Sequence, residues 1–357
     1  MTTAITGPDK EARRPGRAGT RIGISAQRGR RIGFLVVLLV LLVLVGAASI
    51  AVGAKSMPLD AVWHALWSPT GVENDVVVRS LRLPRTVLGI EVGIALGVAG
   101  ALMQGHTRNP LAEPGVLGVS AGAGFFVVVG IFAFGITSLY GYVWFAFAGA
   151  LVANVVVFLL GSLGRGGPTP VTLALAGVAL TYLLHALSSA IVLSDTETLD
   201  AYRFWDVGSL VGRDTGITTQ ISPFLLAGLV LAVANAPGLN LLALGEDISR
   251  GLGQNILLTR LTGLAAVTLL AGVAVAAAGP IAFVGLVVAH LARLHTGPDY
   301  RWLLPTAGLA GAVLLLAADV LGRVVVRPGE LQVGIVLAFV GAPFFVVLVR
   351  RRRLVRL

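Results

Sequence analysis

Long apolar stretches separated by short polar breaks run through most of this chain of 357 residues. A helix needs roughly 20 predominantly apolar residues to cross a bilayer. About ten stretches approach that length, at residues 34–54, 83–106, 115–135, 141–162, 170–193, 217–236, 257–278, 281–295, 302–325 and 332–349. The pattern predicts an all-α fold, a polytopic bundle of about ten transmembrane helices.

Two of the connecting segments are longer than ordinary turns. Residues 194–214 mix charges with Tyr202, Phe204 and Trp205, which is typical of a helix lying at the membrane interface. Residues 238–256, GLNLLALGEDISRGLGQNI, are too polar to span and are predicted to form two short amphipathic helices hinged at Gly245. An apolar face outside the membrane usually binds another protein.

The net charge of +10 lies at the two ends of the chain. Residues 1–31 hold eight Lys or Arg against two acidic residues, and five arginines follow Val349. The positive-inside rule then places both termini in the cytoplasm, which requires an even number of spans. We interpret residues 1–31 as a basic cytoplasmic tail attracted to anionic membrane lipid rather than to nucleic acid, and residues 32–353 as one transmembrane domain.

No motif in the sequence supports enzymatic chemistry in the chain itself. It contains no cysteine, and neither of its two lysines, Lys10 and Lys55, follows a glycine-rich phosphate loop. The five histidines show no metal-ligand spacing. We therefore expect no catalytic residue and no metal site, and any ATP consumed in transport must be hydrolysed by another subunit.

Glycines and ionisable residues inside the spans are the main candidates for packing or function. Gly89, Gly93, Gly97 and Gly100 share one face of the second span, and Gly118 and Gly122 share a face of the third. Such faces either pack closely against another helix or line a path. Charged residues in a span are costly and suggest function. Asp319 can pair with Arg323 at i, i+4, whereas Glu91 faces the path or pairs with Arg85 or Arg323.

A short motif occurs twice in the chain. Pro110–Gly115 and Pro280–Gly285 share the pattern P-[LI]-A-x-x-G, about 170 residues apart. The preceding spans run in opposite directions in the predicted topology. This is the arrangement that an inverted repeat would produce, with interrupted helices near the transport path.

The sequence resembles permease subunits of ABC importers in the iron–siderophore and cobalamin uptake family, over about residues 34–353. The blocks that carry this resemblance are RLPR (82–85), GALMQGHTRNPLAEPGVLGVSAGAG (100–124), WDVGSL (205–210), LLALGEDISRGLG (241–253), GPIAFVGLVVAHLARLHTGPDYRWLLP (279–305), AADVLGR (317–323) and ELQVGIVLAFVGAPFF (330–345). Within the family, RFWDVGSL and GRVVVRPGEL are most similar to permeases of the ferric-enterobactin kind.

The resemblance implies a type II importer fold of ten spans in a bacterial plasma (inner) membrane. It also implies a dimer, either of identical or of two different permease subunits, with the heterodimer favoured. Two ATPase subunits would bind ATP and Mg²⁺, so no cofactor is expected on this chain. An extracytoplasmic binding protein would deliver a ferric siderophore, which would cross by alternating access.

The resemblance also assigns roles to particular residues. In the coupling segment 238–256, the residues expected to engage the ATPase are Leu242, Leu244, Gly245, Glu246, Asp247, Arg250 and Gly253. Arg82, Arg85 and Arg323 match outer-face arginines that receive acidic residues of the binding protein. The candidates for the path and its cytoplasmic gate are Pro168, Thr169, Pro170, Val171, Thr172, Asn109, Pro110, Gly118, Gly122 and Glu91.

Three alternative functions remain open at this point. The cargo could be cobalamin or haem, because the permease of such a system makes few specific contacts. The chain could instead be a secondary transporter driven by an ion gradient through Glu91 or Asp319. It could also be a membrane receptor that binds a ligand without moving it.

Overall fold

The computed structural model describes residues 19–53, 57–136, 138–163 and 169–350, and the regular elements within these ranges are all helical. They are α1 (Gly19–Ala51), α2 (Leu59–Trp67), α3 (Glu73–Val76), α4 (Leu83–Thr107), α5 (Val119–Phe134), α6 (Leu139–Ser162), α7 (Pro170–Ser194), α8 (Thr196–Asp206), α9 (Thr215–Leu242), α10 (Glu246–Gly251), α11 (Ile256–Ala278), α12 (Val284–Thr296), α13 (Tyr300–Val325) and α14 (Val333–Arg350). A π-helical segment, Val77–Arg82, joins α3 to α4, and a 3₁₀ turn, Pro114–Leu117, precedes α5.

The all-helical membrane architecture is confirmed. In the described part of the chain, eight helices are long and apolar enough to cross a membrane, and Val119–Phe134 and Val284–Thr296 are shorter apolar helices. The count of about ten spans is reached with these two included. The bundle has two ends, which we name by the residues found there. The terminal end contains Arg31, Asp299 and α10, and the opposite end, called the far end, contains Ala51, Arg82 and Arg323.

Several boundaries differ from the predicted ones. The helix α1 begins well before its apolar run, at Gly19. Residues 239–242 continue α9 rather than forming a separate short helix, so only one short helix, α10, follows the hinge. Gly245 adopts φ 109°, a conformation that favours glycine, and the predicted hinge at this residue is confirmed.

Helix α4 lies at the centre of the bundle and is buried along most of its length. Its glycines meet backbone of neighbouring helices, since a Cβ added at Gly93 would lie 2.5 Å from the Cα of Ala312 in α13. A Cβ at Gly97 would meet the carbonyl oxygen of Ala307, and one at Gly100 would meet Gly285 of α12. The glycine face of α4 is therefore a helix-packing surface.

We expect Gly93→Ala to lower the thermal stability of the protein. The atoms of Ala312 that the new Cβ would meet belong to the backbone, so they cannot rotate away. Overpacking of this kind costs about 1–3 kcal/mol. The matched control is Gly46→Ala in α1, where a Cβ meets nothing within 4 Å, and where alanine favours the helix. Melting temperatures of the purified variants in the same detergent give the test, and an equal melting temperature for both variants would contradict the packing argument.

The two copies of the repeated motif contact each other. The backbone N–H of Phe283, the fourth residue of Pro280–Gly285, donates to the Oε1 of Glu113, the fourth residue of Pro110–Gly115. The backbone of Phe283 has a left-handed conformation, with φ 69°, and Phe283 is the N-cap of α12. The preceding helix, α11, ends before Gly279. The contact runs in one direction only, and the backbone of Glu113 is extended, with φ -128°, unlike that of Phe283. The inverted repeat therefore stays a prediction.

Candidate functional site

A buried cluster of charges occupies the far end of the bundle. The Nη2 of Arg85 lies 2.7 Å from the Oδ1 of Asp319, and its Nη1 lies 2.6 Å from the Oε2 of Glu330. The Nε of Arg323 lies 3.1 Å from the Oδ2 of Asp319. The predicted ion pair between Asp319 and Arg323 is confirmed, and Asp319 binds a second arginine as well.

The three arginines predicted to receive the binding protein are occupied by groups of this chain. Arg82 donates from its Nη1 to the carbonyl oxygens of Ile50 and Ala51, and Arg323 donates to that of Ser49. All three side chains are buried, although they line a cavity of about 290 Å³ at the far end. Their role in docking stays a prediction, and an incoming carboxylate would have to compete with these internal acceptors.

A second cavity, of about 410 Å³, lies next to the first. Arg213 lines both cavities and is buried, with 8% of its surface exposed. Burial lowers the pKa of its guanidinium to about 10. Sequence reasoning gave Arg213 no role, because only the fold brings the loop after α8 to a cavity that it shares with residues distant in sequence, such as Tyr142 and Glu330.

Glu91 pairs with neither Arg85 nor Arg323. It is half-buried between α4 and α9, where its Oε1 lies 2.8 Å from the hydroxyl of Ser222, and its Oε2 is buried without a partner among the described residues. The Ser222 hydroxyl also lies 2.7 Å from the carbonyl oxygen of Thr218. Its single hydrogen can serve only one of these acceptors, and a protonated Glu91 would satisfy both contacts by donating to Ser222.

We expect Glu91→Gln to leave ATP-driven uptake within about twofold of the wild type, since the amide can donate to Ser222 as a protonated carboxyl does. A transporter driven by protons through Glu91 would lose uptake on the same change. Initial rates in proteoliposomes give the measurement. The control is Glu197→Gln, the same substitution at an exposed glutamate on α8, which should leave uptake unchanged. Loss of uptake in Glu91→Gln alone would contradict the structural role.

The predicted gate region forms the start of α7. Thr169 is the N-cap: its hydroxyl accepts from the backbone N–H of Thr172, and the Thr172 hydroxyl accepts from the N–H of Thr169, which completes a capping box. Pro170 occupies the first turn, where its missing N–H costs nothing, and Val171 is exposed. Pro168 lies outside the described residues. The gating role of this segment stays a prediction.

The other path candidates mostly have packing or turn roles. Gly122 packs against α6, because a Cβ there would collide with Ala153 and with the backbone of Gly149. Gly118, with φ 75°, ends the 3₁₀ turn before α5. The Oδ1 of Asn109 accepts from the N–H of Leu111 in the break before Pro114. Gly122 thus has a packing role, and the path assignments of Asn109, Pro110, Gly118 and Gly122 stay predictions.

The coupling segment presents an apolar surface at the terminal end. Leu244 and Ile248 are each 56% exposed, and Leu252 lies beside them with a similar exposure. Glu246 anchors α10, since its Oε1 lies 2.5 Å from the Nη2 of Arg260 in α11. The arrangement is a short helix fixed to a membrane span and carrying apolar side chains into water, which is suited to binding a soluble subunit.

Not every residue of the predicted coupling set is available to a partner. Leu242 is buried at the end of α9, so its assignment as an ATPase contact is wrong. Asp247 and Arg250 are exposed, and Gly253 adopts φ 80° in the turn after α10. Glu246 is engaged by Arg260 and, at 3.8 Å, by Arg250, so its first role is to hold the helix in place.

Comparison with known proteins identifies the family. Residues 38–351 match the FecCD transport family. The chain belongs to the FecCD transport family. The ferric enterobactin transport system permease protein FepD of Escherichia coli (strain K12) is 48% identical over 316 residues, which cover 88% of this chain and 94% of FepD. A probable siderophore transport system permease protein, YfiZ of Bacillus subtilis (strain 168), is 40% identical over 317 residues, which cover 89% of this chain and 95% of YfiZ.

A solved structure supports the same assignment for the fold. It is described as an inward-facing conformation of a metal-chelate type ABC transporter. Its TM-score is 0.78 at 30% identity, with 90% of this FecCD chain and 99% of the other chain covered. The protein is thus a membrane-spanning ABC importer permease, a transport component rather than an enzyme. A permease of this family works with an ATPase, a substrate-binding protein and a second permease subunit.

Proposed function

We propose that this permease imports a ferric siderophore of the catecholate class. The observation that carries the proposal is the 48% identity to a ferric enterobactin permease over nearly the full length of both chains. Relatives that carry other iron chelates are less similar, such as the iron(3+)-hydroxamate permease FhuB of Bacillus subtilis at 41%. The binding protein contributes most of the selectivity, and it delivers the chelate at the far end of the bundle.

The orientation follows from charge. The terminal end faces the cytoplasm, because it carries Arg30, Arg31 and Arg350, and the far end faces outward. The exposed apolar residues of α10 then lie in the cytoplasm, where ATPase subunits are found. Two such subunits hold ATP and Mg²⁺, and no cofactor is bound by this chain.

The transport step is alternating access. Closure of the two ATPase subunits moves α10, and the ion pair between Glu246 and Arg260 transmits this movement to α11. The chelate crosses at the interface with the second permease subunit. This partner is a different chain, as the resemblance to ferric-enterobactin systems favours.

Import of cobalamin or haem through the same fold is the nearest alternative. A secondary transporter driven by an ion gradient is the alternative from another class, and two observations argue against it. The exposed apolar surface of α10 favours an ATPase partner, and the carboxylate of Asp319 is bound by two arginines, so it is not free to carry protons.

The test is ATP-dependent uptake in proteoliposomes that hold this chain with its ATPase, its binding protein and any second permease subunit. An iron-labelled tris-catecholate chelate is compared in parallel with cobalamin and haem. Uptake of the iron chelate alone is the expected result. Uptake of cobalamin or haem alone would overturn the substrate, and uptake that follows an ion gradient without ATP would overturn the mechanism.

A further inference from the structure

Two residues that line the larger far-end cavity carry buried hydrogen-bond donors without partners. The Nε of Arg213 and the Nε1 of Trp205 are both buried and bind no acceptor among the described residues. Both groups can only donate. Both residues line the same cavity of about 410 Å³. A ligand that enters this cavity and reaches these donors must therefore bring acceptor atoms.

The acids near Arg213 are engaged elsewhere. Asp214 accepts from the hydroxyl of Tyr140 at 2.6 Å and from the N–H of Gly216, as the N-cap of α9. Glu330 lines the cavity, but it is paired with Arg85 at 2.6 Å. Asp206 accepts from the hydroxyl of Tyr202. No ion pair involves Arg213 within the described residues, in contrast to Arg85 and Arg323.

A buried cation without an anion is unfavourable for folding. Removing a guanidinium from water is costly unless an opposite charge and hydrogen bonds compensate. Arg213 retains its charge at physiological pH, since burial lowers its pKa only to about 10. A residue that destabilises the fold, and whose cost no other group of the chain offsets, is characteristic of a functional site. The compensating anion is therefore expected from outside the chain.

The remaining lining indicates the chemistry of that anion. Tyr142, Phe204 and Trp205 give the cavity aromatic walls, and arginine also stacks on aromatic rings. The cavity volume lies within the range of about 300–1,000 Å³ typical of small-molecule sites. An aromatic ring with oxyanion substituents fits all three features, and a catecholate arm of a ferric chelate has this chemistry.

We propose that Arg213 and Trp205 form an outward-facing subsite that receives a catecholate arm of the iron chelate as it leaves the binding protein. This inference rests on the proposed function. Arg213 donates to the catecholate oxygens, the indole N–H of Trp205 supplies a further hydrogen bond, and the aromatic side chains pack on the ring. The negative charge of the chelate offsets the buried guanidinium while cargo is present, which favours binding of an anionic cargo at this position.

The experiment compares Arg213→Gln and Arg213→Lys in the full transporter, with Arg203→Gln as the matched control. Arg203 lies on α8 at the same end, and its side chain is 58% exposed and paired with Asp200. Initial rates of ATP-dependent uptake of a ferric tris-catecholate are measured against the concentration of loaded binding protein. The KM reports docking, and kcat reports transfer. Binding of the unloaded binding protein and the melting temperature are measured on the same variants.

We expect Arg213→Gln to lower kcat roughly tenfold or more, the effect of losing hydrogen bonds to a charged group. KM and binding of the unloaded protein should not change. Arg213→Lys should retain more of kcat than Arg213→Gln, and Arg203→Gln should match the wild type. The melting temperature of Arg213→Gln should equal or exceed that of the wild type, because an uncompensated buried charge is removed.

Three results would overturn the inference. A raised KM with weaker docking of the unloaded protein would mean that Arg213 receives a carboxylate of the binding protein. If Arg213→Gln had unchanged kinetics while the wild type took up the chelate normally, the proposed subsite would be contradicted and the proposed function would stand. A lower melting temperature with less folded protein would show that Arg213 is structural. Absence of catecholate uptake by the wild type would instead overturn the proposed function itself.

Discussion

Replacing Leu244 and Ile248 together with alanine is expected to reduce ATP-dependent uptake at least about tenfold, with the amount of permease in the membrane unchanged. Both side chains are more than half exposed on and beside α10. Each substitution removes three carbon atoms, worth about 0.8 kcal/mol apiece when they are buried on a partner. Weaker docking of the ATPase would appear both as slower uptake and as less ATPase copurifying with the permease.

The control for this double variant is Leu163→Ala. Leu163 is 81% exposed at the C-terminal end of α6, at the same end of the bundle as α10. Its replacement should leave uptake and copurification unchanged. Normal uptake in the double variant would contradict the assignment of α10 as the ATPase contact. This test is sharper than replacing Glu246, whose loss would also release α10 from Arg260.

Asp319→Asn is expected to give the largest loss of stability. Asp319 is fully buried and accepts hydrogen bonds from both Arg85 and Arg323. Without the charge of Asp319, the buried guanidinium of Arg323 has no carboxylate partner, although it keeps its hydrogen bonds to carbonyl oxygens, such as that of Ser49. Breaking a buried ion pair by removing one partner typically costs about 3–5 kcal/mol. The measurement is the melting temperature of the purified permease, together with the yield of folded protein.

Glu330→Gln is the matched control for this change. Glu330 pairs with the same Arg85, but a quarter of its side-chain surface is exposed, at 25%. Water can therefore replace part of the lost interaction, and the drop in melting temperature should be clearly smaller than for Asp319→Asn. Equal drops in the two variants would mean that the charge of Asp319 is not the main stabilising element of the cluster.

The sequence was sufficient for those features that depend on short-range pattern. Apolar length predicted the spans, and the i, i+4 spacing predicted the pair of Asp319 with Arg323. The break at Gly245 was predicted from the non-spanning segment 238–256, although only one of the two short helices expected there is present. The contact of Arg85 with Asp319 joins residues 234 positions apart, and no local pattern indicates which arginine is buried.

The departures from the sequence-based expectation have a common physical cause. Leu242 was placed on the coupling surface, but α9 continues to this residue and buries it against the core. Gly122 was placed on the path, and its missing side chain allows α6 to approach closely, which the sequence could not show. Both outcomes depend on which neighbour a helix face meets, and that is decided by tertiary packing. The free donors of Arg213 and Trp205 were missed for the same reason.

The backbone contacts of α4 limit how the molecule can move. Because Gly93, Gly97 and Gly100 fit directly against α13 and α12, these helices cannot slide past one another without backbone collisions. Close-packed interfaces of this kind shift as rigid bodies rather than deform continuously. We therefore expect the conformational cycle to displace α4, α12 and α13 as one unit, and to open and close the path between this unit and other helices.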